Sequence, residues 1–329
     1  MKSTCFVIRL LDLTVVALVI GFVTTACNGL SSSPILSSNG SAGSGSDSSF
    51  GSIIDPTRPI EFYCLPDNAC PYAQRTSILF NELKEIPVKV IHVTGMPKPD
   101  WFLKINPTGK VPTIRVPTTT TSAATNNQEE DYNDSVIIAE STIINEFLCD
   151  YYTSSIMKNH DDDDDDDDDD DQNQKLMPSN NNPILRAQIR LLNNHCDNVF
   201  TKTQFTYLMN KDDDPIKDKE LCNEMEDALT VYEESIFKFG GPYVLGKKFT
   251  LADIQIYPFI RRLIVTLRHY KQYELPDNKF PLLLNWYNVC SKRKSINEEK
   301  GGDISEEKII EIYDKFMNIN YKFDGLNQN

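Results

Sequence analysis

Apolar and polar positions divide this chain into a half with strand and helix periods and a half with helical periods alone. Ile60–Cys64 is a short apolar run of strand length, and Pro71–Lys84 carries Ala73, Ile78, Leu79 and Leu83 at helical spacing. Val88–Val93 predicts a second strand, and Lys98–Ile105 a short helix. Asn106-Pro107-Thr108-Gly109 is then strong turn chemistry. Val111–Val116 and Val136–Ala139 read as strands, separated by an enlarged loop over Pro117–Asp134. Ser141–Tyr152 reads as a helix with Ile143, Ile144, Phe147, Leu148 and Tyr151 along one side. Residues 59–152 thus predict an α/β domain of order βαβαββα, with a right-handed first crossover.

From Pro183 onward the periods are helical. Leu221, Met225, Ala228, Tyr232, Ile236 and Phe239 draw one apolar stripe, which Gly240-Gly241-Pro242 ends. Thr250-Leu251-Ala252-Asp253 fits a capping box, with Phe249 placed to staple against Ile254. Leu251, Ile254, Tyr257, Ile260, Ile264 and Leu267 continue as a buried helix. Residues 183–300 therefore predict an all-α domain, and 301–329 a C-terminal helix and tail, whose amphipathic stretch Ile309–Met317 either docks on the body or hangs free.

Outside these domains the sequence changes character. Lys2 and Arg9 precede Val15–Val23, which lacks polar side chains, and Thr24-Thr25-Ala26-Cys27 follows. A basic start, a short apolar core and small residues make the pattern of a signal peptide, although Asp12 interrupts the approach. The apolar core falls short of the roughly 20 residues that a spanning helix needs. Residues 1–27 therefore read as a segment directing the chain into the secretory pathway or an organelle, by a plastid-type bipartite signal in the latter case. A membrane-anchored or cytoplasmic chain is the alternative. Residues 28–58, rich in Ser and Gly, bury too little apolar surface to fold and read as a linker. Residues 153–182 hold an unbroken run of aspartates from Asp161 to Asp171, which self-repulsion keeps extended, and read as an acidic interdomain linker.

That run also distorts the charge balance. The net charge is −15, but leaving the eleven aspartates out of 48 acidic residues leaves 37 against 33 basic ones. The folded part is only mildly acidic, with no basic stripe to hold a nucleic acid. The eight cysteines follow neither metal-ligand nor disulfide-framework spacing, and with four histidines no metal site is expected.

Chemistry concentrates at Cys70-Pro71-Tyr72-Ala73-Gln74-Arg75, just after the first strand. Proline suits the first helical position, which places Cys70 at the N-cap, facing the positive end of the helix dipole. A thiolate is stabilised there, so the pKa of Cys70 is expected to fall below the free value of about 8.5. Position 73 is Ala, so no second thiol follows at CxxC spacing, and an external thiol must resolve any mixed disulfide. Val111-Pro112 opens a strand after a turn; in a thioredoxin-like layout a cis proline there exposes the preceding backbone to a peptide-like ligand. Glu140-Ser141, at a strand end and a helix start, suit an ammonium and a carboxylate side by side. A solvated cap is the bland alternative for that pair.

Together these segments, with Lys98-Pro99-Asp100-Trp101-Phe102, Asn106-Pro107-Thr108-Gly109-Lys110-Val111-Pro112 and Phe249-Thr250-Leu251-Ala252-Asp253, resemble the cysteine-type glutathione transferases. That group comprises the omega class and the plant lambda and dehydroascorbate reductase classes. The resemblance implies a thioredoxin-like N-terminal domain followed by an all-α C-terminal domain, with glutathione as co-substrate. It implies Cys70 as the nucleophile, Lys98 near the glycyl end, Val111 and Pro112 on the cysteinyl backbone, and Glu140 with Ser141 on the γ-glutamyl group. Phe205, Tyr207, Tyr257 and Arg261 are candidates for a second-substrate pocket, with core packing the alternative for each aromatic. Asp253 is implied as a folding cap. The expected function is a thiol transferase or reductase acting on a small oxidised substrate. A conjugating transferase for electrophiles, or a non-catalytic binding module, are the alternatives. A homodimer is implied by family analogy.

Overall fold

β2 (Ile60–Cys64) forms the middle of a mixed sheet, parallel to β3 (Val88–His92) and antiparallel to β4 (Thr113–Thr119). The computed structural model describes residues 53–95, 97–119, 135–155, 176–179, 181–297 and 302–317. β5 (Ser135–Ala139) pairs antiparallel with β4, and β1 (Ile53–Ile54) joins the end of β4 through Thr118 and Thr119. Glu61 stands in register with both Lys89 and Arg115 and accepts hydrogen bonds from them at 3.2 and 2.7 Å. Register is therefore marked by charge as well as by burial.

Alternation along β2 sends Ile60, Phe62 and Cys64 to one face and Tyr63 to the other. The first face packs under α1 (Pro71–Glu82), with the Phe62 and Phe80 rings 5.4 Å apart. The second packs on α2 (Asp100–Ile105), where Tyr63 lies 5.7 Å from Phe102. α3 (Ser141–Ser155) buries Ile144 and Leu148.

The helical half comprises α4 (Pro183–His195), a π-helical turn over Cys196–Phe200, α5 (Thr201–Met209), α6 (Pro215–Phe239), α7 (Leu251–Lys271), α8 (Pro281–Ser291) and α9 (Glu306–Met317). Gly240 ends α6 at φ +66, a left-handed position that favours glycine. The two halves are the thioredoxin-like and all-helical domains that the sequence predicts.

Three boundaries differ from expectation. Ile53 and Ile54 fall inside the expected linker 28–58, yet β4 outruns β2 and offers them backbone partners. For the same reason Pro117–Thr119 are strand and not loop. The expected linker 153–182 also shrinks, because α3 reaches Ser155 and both Leu176 and Met177 are core residues. The Leu176 carbonyl accepts from the Leu251 N–H at 2.9 Å, and Arg186 ties Pro178, Glu146 and Asp150 together. The expected C-terminal helix forms, and of its two open courses α9 takes docking on α7. Ile309 buries against Val265 and Ile304, Glu306 pairs with Arg261 and Arg268, and the Tyr270 hydroxyl donates to Asp314 at 2.7 Å. Residues 1–27 and the run Asp161–Asp171 lie outside the described residues.

The two ends of the sheet carry different traffic. Cys70, the Val111–Pro112 peptide and Ser141 stand at one end, where β2 finishes and β4 starts. β4 ends, β5 begins and β1 attaches at the other. α3 rises away from Ser141 by ~22 Å over its fifteen residues.

The capping box forms as the sequence predicts, with more attached to it. Asp253 is fully buried and accepts from the N–H of Thr250 at 2.8 Å and of Val244 at 2.9 Å, and from the Trp286 indole at 2.8 Å. Asp253→Ala would leave those donors buried without an acceptor. The expected loss is about 3 kcal/mol or more, read as a lowered urea midpoint. Asp253→Asn, which keeps one acceptor, is expected to lose less.

Candidate functional site

Cys70 is the N-cap residue of α1, with extended backbone (φ −91, ψ 118) and Pro71 at the first helical position. It is half-buried, and its Sγ lies 3.6 Å from the Val111 carbonyl oxygen. The turn before it is tight: Asp67 and Asn68 both adopt left-handed conformations, at φ 54 and φ 50. Opposing influences act on the thiol. Burial raises its pKa, while the backbone N–H groups of Ala73 and Tyr72 and the charges of Arg262 and Arg75 lower it. Burial wins, so the thiol sits above the ordinary cysteine value. This corrects the expectation of a depressed pKa, which weighed the helix terminus and not the desolvation.

The segments expected around the thiol converge on it. The Val111–Pro112 peptide is cis and begins the turn into β4. Lys98 lies over Gly109, which has φ +65; a Cβ there would stand 3.5 Å from the lysine Cγ. Desolvation lowers the Lys98 pKa, and the charge of Cys70 pulls it the other way, so the two groups share one region. Glu140 is exposed at φ +72, a strained conformation for a residue with a side chain, and its carbonyl accepts from the Ile144 N–H at 2.9 Å to open α3. Ser141 beside it is buried. Its hydroxyl accepts from Arg75 at 3.1 Å, and its own proton and the N–H groups of the helix terminus remain to meet an anion.

Two arginines of this site carry more than the sequence suggests. Arg75, fully buried, donates from Nε to the Gln255 carbonyl at 2.8 Å, from Nη1 to Ser141, and from Nη2 to Asp197 at 2.6 Å and Cys196 at 3.4 Å. The π-helical turn delivers both Cys196 and Asp197 to it. Arg75 also lies 4.5 Å over the Phe259 ring and 5.0 Å over the Tyr72 ring, which themselves meet edge to face. Arg262 of α7 is the second, and its charge reaches Cys70 and Tyr313. An arginine inside a helix read as buried was the available signal, but spacing alone gave it no partner. That helix is buried nearly all round.

The four second-substrate candidates are not gathered at Cys70. Phe205 is 42% exposed on α5. Tyr207 meets Tyr273 edge to face, and Lys271 lies 5.0 Å over its ring, near the far end of α7. Tyr257 stacks on Tyr287 and donates to Asp303 at 3.2 Å, and Arg261 pairs with Asp303 and Glu306. One residue is about 100° of helix, so Arg262 turns to the thiol while Arg261 turns to α9. No group of three metal-binding side chains occurs among the described residues.

Comparison with known proteins agrees with this geometry. Residues 69–150 match the family model for the glutathione S-transferase N-terminal domain, and 219–288 that for the C-terminal domain. The chain is 25% identical over 231 residues to "Glutathione S-transferase DHAR2" of Arabidopsis thaliana, covering 70% of this chain and 84% of that protein. It is 26% identical over 209 residues to "Probable glutathione S-transferase DHAR1, cytosolic" of Oryza sativa subsp. japonica, covering 64% and 74%. Glutathione transferase Omega 3C from Trametes versicolor shares the fold with a TM-score of 0.58 and 23% identity, over 79% of this chain and 91% of that one. The chain carries the N-terminal and C-terminal domains of the glutathione S-transferase family and is related to its DHAR-named members. Glutathione is its co-substrate.

The raised pKa has a measurable sign. A raised pKa keeps most of Cys70 protonated at neutral pH. Its alkylation rate in the free protein should climb with pH to a midpoint above the ordinary value of about 8.5. A plateau already reached near neutrality would contradict the assignment.

Proposed function

We propose that this protein is a glutathione-dependent thiol transferase or reductase that works through a mixed disulfide on Cys70. One observation carries the reading. Cys70 stands alone at the start of α1, with Ala73 at the position of a resolving thiol, and faces the carbonyl that precedes a cis proline. A lone thiol so placed suits disulfide exchange with an external partner. Relatives bearing the DHAR name support the same direction.

In the proposed cycle the Cys70 thiolate attacks the glutathionyl sulfur of a mixed disulfide. The substrate leaves as a thiolate and takes up a proton. A second glutathione thiolate then attacks the glutathionyl sulfur held on Cys70, which releases glutathione disulfide and restores the Cys70 thiolate. With dehydroascorbate as oxidant, two glutathiones supply two electrons and end as the disulfide. Lys98, Val111, Pro112, Glu140 and Ser141 hold the glutathione in this reading. Entry of the peptide brings further donors to a thiol that burial alone keeps protonated.

The chain further reads as a homodimer. Ile143 on α3 and Ile184 and Leu191 on α4 are exposed, at 57%, 72% and 69%. The two helices are tied together by Glu146 with Arg186 and Arg190, and Ile184 and Leu191, seven residues apart, share one exposed side of α4. Residues 1–27 act as an address for the secretory pathway or an organelle in this proposal.

Two measurements follow. Cys70→Ser is expected to lose about 100-fold or more of thiol-transfer and dehydroascorbate turnover while still binding immobilised glutathione; unchanged turnover would sink the mechanism. A gain of conjugation to a chloroaromatic electrophile in the same variant would favour a conjugating transferase. Sedimentation should show a dimer for the native chain and a monomer for Leu191→Glu, and a monomeric native chain would refute the interface.

A further inference from the structure

Arg262 is 1% exposed in the middle of α7. A buried guanidinium needs protein groups to replace its water, and it usually finds a carboxylate. The other well-buried arginines follow that rule: Arg75 pairs with Asp197, Arg186 with Glu146, Arg261 with Asp303 and Arg293 with Glu82. Arg262 does not. Nη1 donates to Gln74 Oε1 at 2.6 Å and to the Pro258 carbonyl at 2.9 Å, and Nη2 donates to the Asn68 carbonyl at 2.7 Å. All three acceptors are neutral.

Two of them bracket the reactive thiol. Asn68 lies two residues before Cys70 and Gln74 four residues after it, on opposite sides of the turn that enters α1. Gln74 is itself oriented, because its amide donates to the Gly302 carbonyl at 2.8 Å and so leaves its oxygen for Arg262. One planar fork thus holds the chain on both sides of Cys70. Lysine, a single point of charge, cannot span two such acceptors in the same way.

The structure assigns to Arg262 the part of a positioning residue: its fork fixes the turn that presents Cys70, and its charge, hydrogen-bonded to neutral acceptors, favours the thiolate. The assignment rests on Cys70 as the reacting thiol. Other charged or titratable groups also face that thiol. They are Arg75 on α1, Lys98 before α2, Cys64 at the end of β2, Tyr72, and Tyr313 on α9, while the Asp303 carboxylate and Arg261 act on Arg262 itself. Cys64 and Tyr72 are both pushed to about 12, so neither titrates in the range that Cys70 alkylation reads.

The test measures alkylation of the Cys70 peptide by iodoacetamide from about pH 6 to pH 10, with no second substrate present. Arg262→Met is expected to move the profile up by about one pH unit, a roughly tenfold slower reaction near neutrality. Arg262→Lys keeps the charge and loses the fork. It should keep most of the native profile yet lose roughly tenfold to a hundredfold in thiol-transfer kcat, with KM for glutathione little changed. A native alkylation profile in folded Arg262→Met overturns the assignment. If that variant does not fold, native kcat in Arg262→Lys overturns it. Since alkylation needs only the thiol, a shifted profile beside unaltered turnover in Cys70→Ser would reject the mechanism above and keep the role of Arg262.

Discussion

A guanidinium stripped of water must find its hydrogen bonds inside the protein, and Arg75 finds them on both domains. Its own helix and Ser141 belong to the α/β half; Gln255, Cys196 and Asp197 belong to the helical half. Removing Asp197 would strand a buried charge, and the other acceptors fix the fork's direction, so the two halves are held to one relative placement. That placement sets the rest: which face of α7 meets α1, where Phe259 lies against Tyr72, and how far Ser141 stands from the thiol. Arg262 repeats the device one helical face away, with neutral acceptors.

The same burial that makes these arginines structural governs the chemistry. A helix terminus offers a thiolate two N–H groups and part of a positive charge, a stabilisation of about a kcal/mol at an exposed position. Taking the sulfur out of water opposes that, and in the free protein desolvation is the larger influence. Reactivity at Cys70 is therefore a balance between donors and dryness, and each residue near it tips that balance a little. The thiol is poised by its surroundings as a whole, more than by its place in a helix.

Much of this was legible beforehand, for local reasons. Strand and helix periods, Pro71 at a first helical position, the capping box at Thr250 and Asp253 and the glycine after α6 all act within a few residues. The thiol, the cis proline and the Glu140-Ser141 pair could be read because each sits at an element boundary. What escaped depends on separation in sequence. Gln74 and Arg262 are 188 residues apart, and Arg75 and Asp197 are 122. No periodicity reports such pairs. The second-substrate pocket stayed open for a related reason: on a helix buried nearly all round, sequence spacing cannot say which side of α7 meets the thiol. The short β1 escaped because two isoleucines make a strand only when a longer neighbour supplies the edge.

The polarity of the sheet gives this architecture an evolutionary latitude. The strand β1, the last residues of β4 and the first of β5 lie at the end away from Cys70. Chain inserted at these junctions would leave the spacing around Cys70 as it is. A run of eleven aspartates and a Thr- and Asn-rich hairpin loop are then tolerable baggage for the lineage. Selection on the enzyme would be nearly blind to their length, so closely related chains should differ in these tracts long before they differ around the thiol.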